Sequence, residues 1–270
     1  KDDVLQAVSE RLRDEPGDHW LRAVQYDQTR FPDGTHLTRA DLDTLSSSRP
    51  ILLRHFNGHA SIANSATLAA AGITEDVVDP IGGTYCRDES GRLNGVLLEQ
   101  AHDFVSEAGP KRSQTDMEDA ILAATERMSA LGIGTACDMM TGRDGLEQEL
   151  LAYMNAANRG CKVRTRLYLQ WATVFGSRAI EPSRLKAIVD SLDKEKVRVA
   201  GIKIFADGAI GSKTAGIYGS FEGEPPTETS GKLMYAPQRL KEMIRIAAEA
   251  GYQVCVHSIG DYSTDVVLDA

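Results

Sequence analysis

Apolar and polar positions along the 270 residues follow two different rhythms, and the change falls near residue 112. Before it the order is mixed. Val4 to Arg13 has helical spacing, His19 to Gln28 and Ile51 to Phe56 read as strands, and Ser61 to Ala71 reads as a helix. Gly82 to Val96 reads as a hairpin turning at Asp88 to Gly91, with a helix from Leu97 to Val105. After residue 112 the pattern becomes regular. Helices Gln114 to Leu131, Leu146 to Arg159, Ser183 to Leu192 and Pro237 to Ala250 alternate with apolar runs. Those runs are Ile133 to Met140, Val163 to Gln170, Val199 to Ala206 and Tyr252 to Ser258. Strands that read as continuous apolar runs between helices are strands buried on both faces, the mark of parallel βαβ units.

This rhythm predicts an α/β fold with an α+β flank or insertion over residues 1–112 and a partial (β/α) barrel over 113–270. A closed eight-stranded barrel needs about 250 residues, so four strands make half of one. Asp261 to Ala270 opens like a capped helix and stops with no terminating Gly, Asn or Pro. The expectation is a cut chain with open sheet edges, inclined to associate with further copies as a homo-oligomer.

Composition narrows the function. A net charge of −9 with no cluster of Lys and Arg argues for a small-molecule substrate and against nucleic acid. No apolar run is long enough for a membrane span. Cys86, Cys137, Cys161 and Cys255 are scattered with no C-x-x-C pair, which predicts free thiols in a reducing cytoplasm.

In parallel α/β folds the chemistry gathers at the carboxyl ends of strands. Lys203 stands among apolar neighbours near one such end, and alternation puts Lys203, Phe205 and Asp207 on one face. His257 ends another strand and is followed by Gly260-Asp261. A neutral imidazole is both a metal ligand and a proton carrier. The bland readings stay beside these: Lys203 as an ammonium paired with Asp207, and His257 as a core histidine satisfied by backbone.

The wording G-I-K-I-F-A-D-G-A-I-G-S-K-T-A from Gly201 to Ala215, and V-H-S-I-G-D from Val256 to Asp261, resembles amidohydrolase family 3, the YtcJ-like branch of the metal-dependent amidohydrolases. F-N-G-H-A-S-I-A-N-S-A-T-L from Phe56 and G-R-L-N-G-V-L-L-E from Gly91 are similar to that family's inserted region. The resemblance implies a distorted (β/α)8 TIM barrel, here about strands two to five, and a divalent metal centre of one or two ions, usually zinc. That centre would activate water to hydrolyse a C–N bond in an amide, formamide or cyclic amide. Lys203 matches the family's fourth-strand lysine and His257 its fifth-strand histidine, which makes both metal ligands. The family's H-x-H pair, second histidine and catalytic aspartate have no counterpart in this sequence. A carboxylated lysine can ligate where an ammonium cannot, and burial favours the neutral amine that carboxylation needs.

His59 reads either as a substrate contact or as a polar loop histidine. Asp207 reads as a catalytic or substrate-binding group, or as one that orients Lys203, and Glu99 as a carboxylate supporting the site from behind or, by preference, a surface charge on the helix from Leu97 to Val105. The glycine-rich stretch from Gly208 to Met234 reads as a lid with Ser212 and Thr214 as substrate contacts. His19, His36, His55 and His102 show no metal spacing and read as structural or solvated. Two other functions remain open: a Schiff-base lyase or aldolase using Lys203, and a catalytically inert fragment.

Overall fold

A computed structural model describes residues 1–270. The chain divides into two compact units, Lys1–Pro110 with Asp207–Tyr235 and Ile259–Thr264, and Lys111–Ala206 with Ala236–Ser258 and Asp265–Ala270.

In the first unit α1 (Asp2–Asp14) leads to β1 (Leu21–Tyr26), α2 (Arg39–Asp43), β2 (Ile51–His55), β3 (Ala60–Ala63) and α3 (Ser65–Ala70). Then come β4 (Gly83–Arg87), β5 (Leu93–Glu99) and α4 (Gln100–Glu107). The sheet order is β1-β2-β3-β5-β4. β1 pairs parallel with β2, and β3 is antiparallel to both β2 and β5. Hence β1, β2 and β5 run the same way and end at one edge of the sheet. Leu53 and Ile62 pack on one face with Val8, Leu37 and Leu42, whereas Leu52, Leu97 and Tyr85 pack on the other with Leu68 and Val105.

Two readings of this unit change, and one element is added. The alanine-rich run from Ser61 is not helical at its start, because residues 60–63 hydrogen-bond to strands on both sides. The helix begins only after Asn64, whose side chain accepts from Thr67 N and from Ile51 N at 3.0 Å. Pairing on two sides outweighs alanine's helix preference. Likewise β5 continues to Glu99 and the next helix starts at Gln100, not Leu97. The short α2, capped reciprocally by Thr38 and Asp41, is an element that hydrophobic spacing does not reveal. The hairpin turn is where it was read, with Asp88 Oδ1 accepting from Ser90 N and Arg92 N.

The second unit contains α5 (Gln114–Ala130), β6 (Thr135–Thr141), α6 (Leu146–Asn158), β7 (Arg164–Gln170), α7 (Trp171–Val174), α8 (Pro182–Ser191) and β8 (Val197–Phe205). A glycine-rich stretch with the short strands β9 (Ile217–Tyr218) and β10 (Thr229–Ser230) precedes α9 (Pro237–Glu249), β11 (Gln253–His257) and α10 (Asp261–Leu268). β11-β8-β7-β6 form one sheet, parallel throughout. Leu167, Leu169, Ile202 and Ile204 face a core built with Leu150, Ile188, Leu240 and Met243 from the helices. The chain is thus an α/β protein with a parallel sheet. No helix is long and apolar enough to cross a membrane.

Where β1 and β2 end, Tyr26 Oη lies 2.7 Å from His36 Nδ1, and the His55 ring packs edge-on against both. Burial, followed by the charge of His55, holds His36 down to about 4, so the folded protein keeps this imidazole neutral. The unfolded chain takes up the proton first, near pH 6.5. Stability from this group is therefore present above 6.5 and lost as pH falls towards 4, by up to about 2 kcal/mol after allowance for solvent screening. Urea unfolding across this window is expected to show that slope in the wild type and a flatter curve in His36→Gln.

Candidate active site

Parallel pairing between β8 and β11 sets Cys255 opposite Lys203 and His257 opposite Phe205. Ile202 and Ile204 occupy the helix-covered core, so alternation turns Lys203, Phe205, Cys255 and His257 to the other face. One further bond, from Ala206 N to His257 O at 2.9 Å, holds the two strand ends together. Lys203 Nζ stands 4.7 Å from the centre of the Phe205 ring, and that ring lies 5.3 Å from the His257 ring. Burial lowers the Lys203 pKa, and Cys255 opposes the shift. Partial burial biases the amine towards its neutral form, the reactive one for either carboxylation or attack on a carbonyl, while the ring face beneath it favours the ammonium.

An imidazole and, once carboxylated, a lysine are donor types that a metal accepts, and here they stand near adjacent strand ends. No group of three His, Cys, Asp or Glu side chains that could hold a metal ion converges in the chain. Cys255, expected from the sequence only as a free thiol, lies two residues before His257 on the same face. A cavity of about 330 Å³ in this unit, lined by Met117, Ile121, Asp138, Glu149 and Tyr153 among others, includes none of the predicted site residues.

Asp207 departs from its reading. β8 ends at Phe205, so the alternation that put Asp207 beside Lys203 no longer applies. The carboxylate is fully buried in the first unit. It accepts from Gly216 N at 2.8 Å, Ile259 N at 3.0 Å, Gly260 N at 2.9 Å and Ser263 Oγ at 2.6 Å. Four donors balance its desolvation and occupy its lone pairs. The chain segments meet so closely here that a Cβ on Gly260 would lie 1.9 Å from Gly216 O.

Glu99 overturns the surface reading. It is 6% exposed and sits at φ 51°, where β5 turns into α4. Its Oε2 lies 2.8 Å from His59 Nδ1, and its Oε1 accepts from Thr214 Oγ1 at 2.5 Å. With that proton committed, Ser212 Oγ donates to Thr214 Oγ1 at 2.7 Å. His59, Ser212 and Thr214, three residues read separately as substrate contacts, are therefore brought together through one buried carboxylate. Alternation offered the clue: Leu93, Gly95, Leu97 and Glu99 share the buried positions of β5. Gly208 is required beside them, because a Cβ there would come within 2.2 Å of Glu99 Oε1. The stretch read as a lid is also tied down by Lys232, whose ammonium donates to Gly83 O and Thr84 Oγ1.

The model of the amidohydrolase family matches residues 1–270. The chain is 33% identical over 272 residues to a putative amidohydrolase, YtcJ, of Bacillus subtilis, covering all of this chain and 49% of that protein. It is 26% identical over 275 residues to the N-substituted formamide deformylase of Arthrobacter pascens, again covering all of this chain and 49% of the relative. Among solved structures it resembles an uncharacterized metal-dependent hydrolase from Pyrococcus horikoshii, with a TM-score of 0.64 and 22% identity over 98% of this chain and 50% of the other. The chain thus spans about half the length of the relatives it matches. With a family match over its whole length, and a parallel sheet carrying Lys203 and His257 at neighbouring strand ends, the chain belongs to the amidohydrolase family.

Proposed function

We propose that the complete protein hydrolyses a C–N bond in an amide, formamide or cyclic amide, and that this span alone is inactive. In this reading the sheet β6-β7-β8-β11 is the second to fifth strands of a (β/α)8 barrel, and Lys203 and His257 are ligands of a divalent metal, zinc by preference. The observation that carries it is the shared face of Lys203 and His257 at the ends of two parallel strands in register. A metal bound there would polarise the substrate carbonyl and lower the pKa of water to about 7. The chain's own contribution is a half-buried setting beside the Phe205 ring that lowers the Lys203 pKa and turns the His257 imidazole towards the same side. His59, Ser212 and Thr214 are the substrate contacts of this proposal, steadied by Glu99. Asp207 takes the part of a positioning residue, since its oxygens already accept four hydrogen bonds.

The lowered pKa of Lys203 also favours a second reading, direct attack of its amine on a carbonyl. The two separate cleanly. In the full-length protein, Lys203→Met and His257→Ala are each expected to reduce zinc retained on dialysis about tenfold or more, and chelation to abolish release of formate from an N-substituted formamide. Turnover that survives chelation, together with a borohydride-trapped adduct on Lys203, would establish the lyase instead. Asp207→Asn turns an amide towards backbone N–H donors and is expected to cost about 2 kcal/mol in thermal unfolding. Unchanged stability would show that the four bonds do not hold this part of the chain.

A further inference from the structure

β1, β2 and β5 of the first unit end at one edge of their mixed sheet. Gln28 follows β1, His55 closes β2 with Asn57 just beyond it, and Glu99 closes β5. Three buried polar atoms at this edge have no hydrogen-bond partner: Gln28 Oε1, His55 Nε2 and Asn57 Nδ2. Native proteins rarely leave such groups unmatched. Gln28 is 5% exposed and His55 2% exposed. The nearest counterpart of His55 Nε2, Asp27 Oδ1, is 4.0 Å away, beyond hydrogen-bond reach.

The backbone fixes the polarity of the two amides. Gln28 Nε2 donates to Gly211 O at 3.1 Å, so the unmatched atom of Gln28 is an acceptor. Asn57 Oδ1 accepts from His59 N at 2.9 Å, so the unmatched atom of Asn57 is a donor. Both adjoin one residue, since a Cβ on Gly211 would lie 3.7 Å from Asn57 Nδ2. Gly211 and the neighbouring Ile210 are exposed, which makes this short turn the cover of the pair.

We infer that Gln28 and Asn57 form a recognition subsite for an amide whose N–H and C=O lie on the same edge, as in a lactam or a ring ureide. The ligand N–H donates to Gln28 Oε1 and its carbonyl accepts from Asn57 Nδ2, while Gly211 O keeps its bond from Gln28 Nε2 and so holds the acceptor in place. An open-chain secondary amide holds these groups trans and on opposite edges, so it can satisfy only one of them. The inference narrows the proposed substrate class to cyclic amides and rests on that proposal for its meaning in catalysis, but the binding it describes needs neither metal nor turnover.

The test uses the 15N-labelled chain with a chelator present, following the side-chain amide signals of Gln28 and Asn57 by NMR. Titration with 2-pyrrolidinone is expected to shift both signals to saturation. γ-Butyrolactone, which has the carbonyl but no N–H, should bind about tenfold more weakly because it leaves Gln28 Oε1 unmatched. Asn57→Asp, which keeps the acceptor for His59 N, should weaken the lactam to a similar degree. The comparison of lactam with lactone needs no variant, so a misfolded Asn57→Asp leaves it decisive. Equal affinity for the two probes, or no saturable shift, overturns the inference and assigns the edge to ordered water. Loss of lactam binding with zinc still held by the full-length protein refutes the subsite alone, whereas lactam binding without metal retention refutes the proposed function alone.

Discussion

The register of β8 against β11 is the constraint on which the proposed site of the second unit depends. A parallel ladder spaces its hydrogen bonds evenly, so each residue has one neighbour on the next strand, and that neighbour shares its face. Pairing Cys255 with Lys203 and His257 with Phe205 therefore decides which side chains can act together. A slip of one residue would send the amine and the imidazole to opposite faces. The register is itself held by the core, because Ile202, Ile204, Val254 and Val256 pack among helix residues and cannot exchange places with polar neighbours. Side chains of the core thus aim those of the proposed site.

A different economy governs the first unit, where two carboxylates are buried and each is made tolerable by local donors. Asp207 draws three backbone N–H groups and a hydroxyl around one point. Glu99 instead gathers side chains, an imidazole and a hydroxyl relay, and sits on a backbone twisted to φ 51°. The distinction bears on function. Backbone donors fix a fold, whereas side-chain donors can be redirected towards a ligand at little cost to the chain path.

Sequence patterns carried much of the fold. Regular helix and strand periods after residue 112 located every strand of the parallel sheet, although the expected burial on both faces fails for the outer strands β6 and β11, which are only partly covered. The first unit was less legible. Ala60–Ala63 is a strand through its partners and not its composition, and Glu99 is buried through contacts with residues 40 and 115 positions away. Lys203 and His257 stand out as candidates because each is alone among apolar residues near a strand end. Asp207 was misplaced by extending strand alternation two residues past the point where the strand stops. Gln28 and Asn57 gave no sign, since an amide reveals its unmatched atom only once its other atom has found a partner in space.

That last point explains why the edge of β1, β2 and β5 reads as a place for a ligand and not as a packing fault. A fault would leave amides free to flip until a donor met an acceptor, but neither amide here can turn without losing the backbone bond that orients it. Each is held with its unsatisfied atom fixed, one acceptor and one donor beside the same glycine. Preorganised polar groups of opposite sense discriminate strongly, because a ligand lacking either complement leaves a buried group unpaired. A site of this kind gains its selectivity from what it refuses. Among amides, the form it refuses least is the one that a ring locks in the cis arrangement, with both polar groups on a single edge.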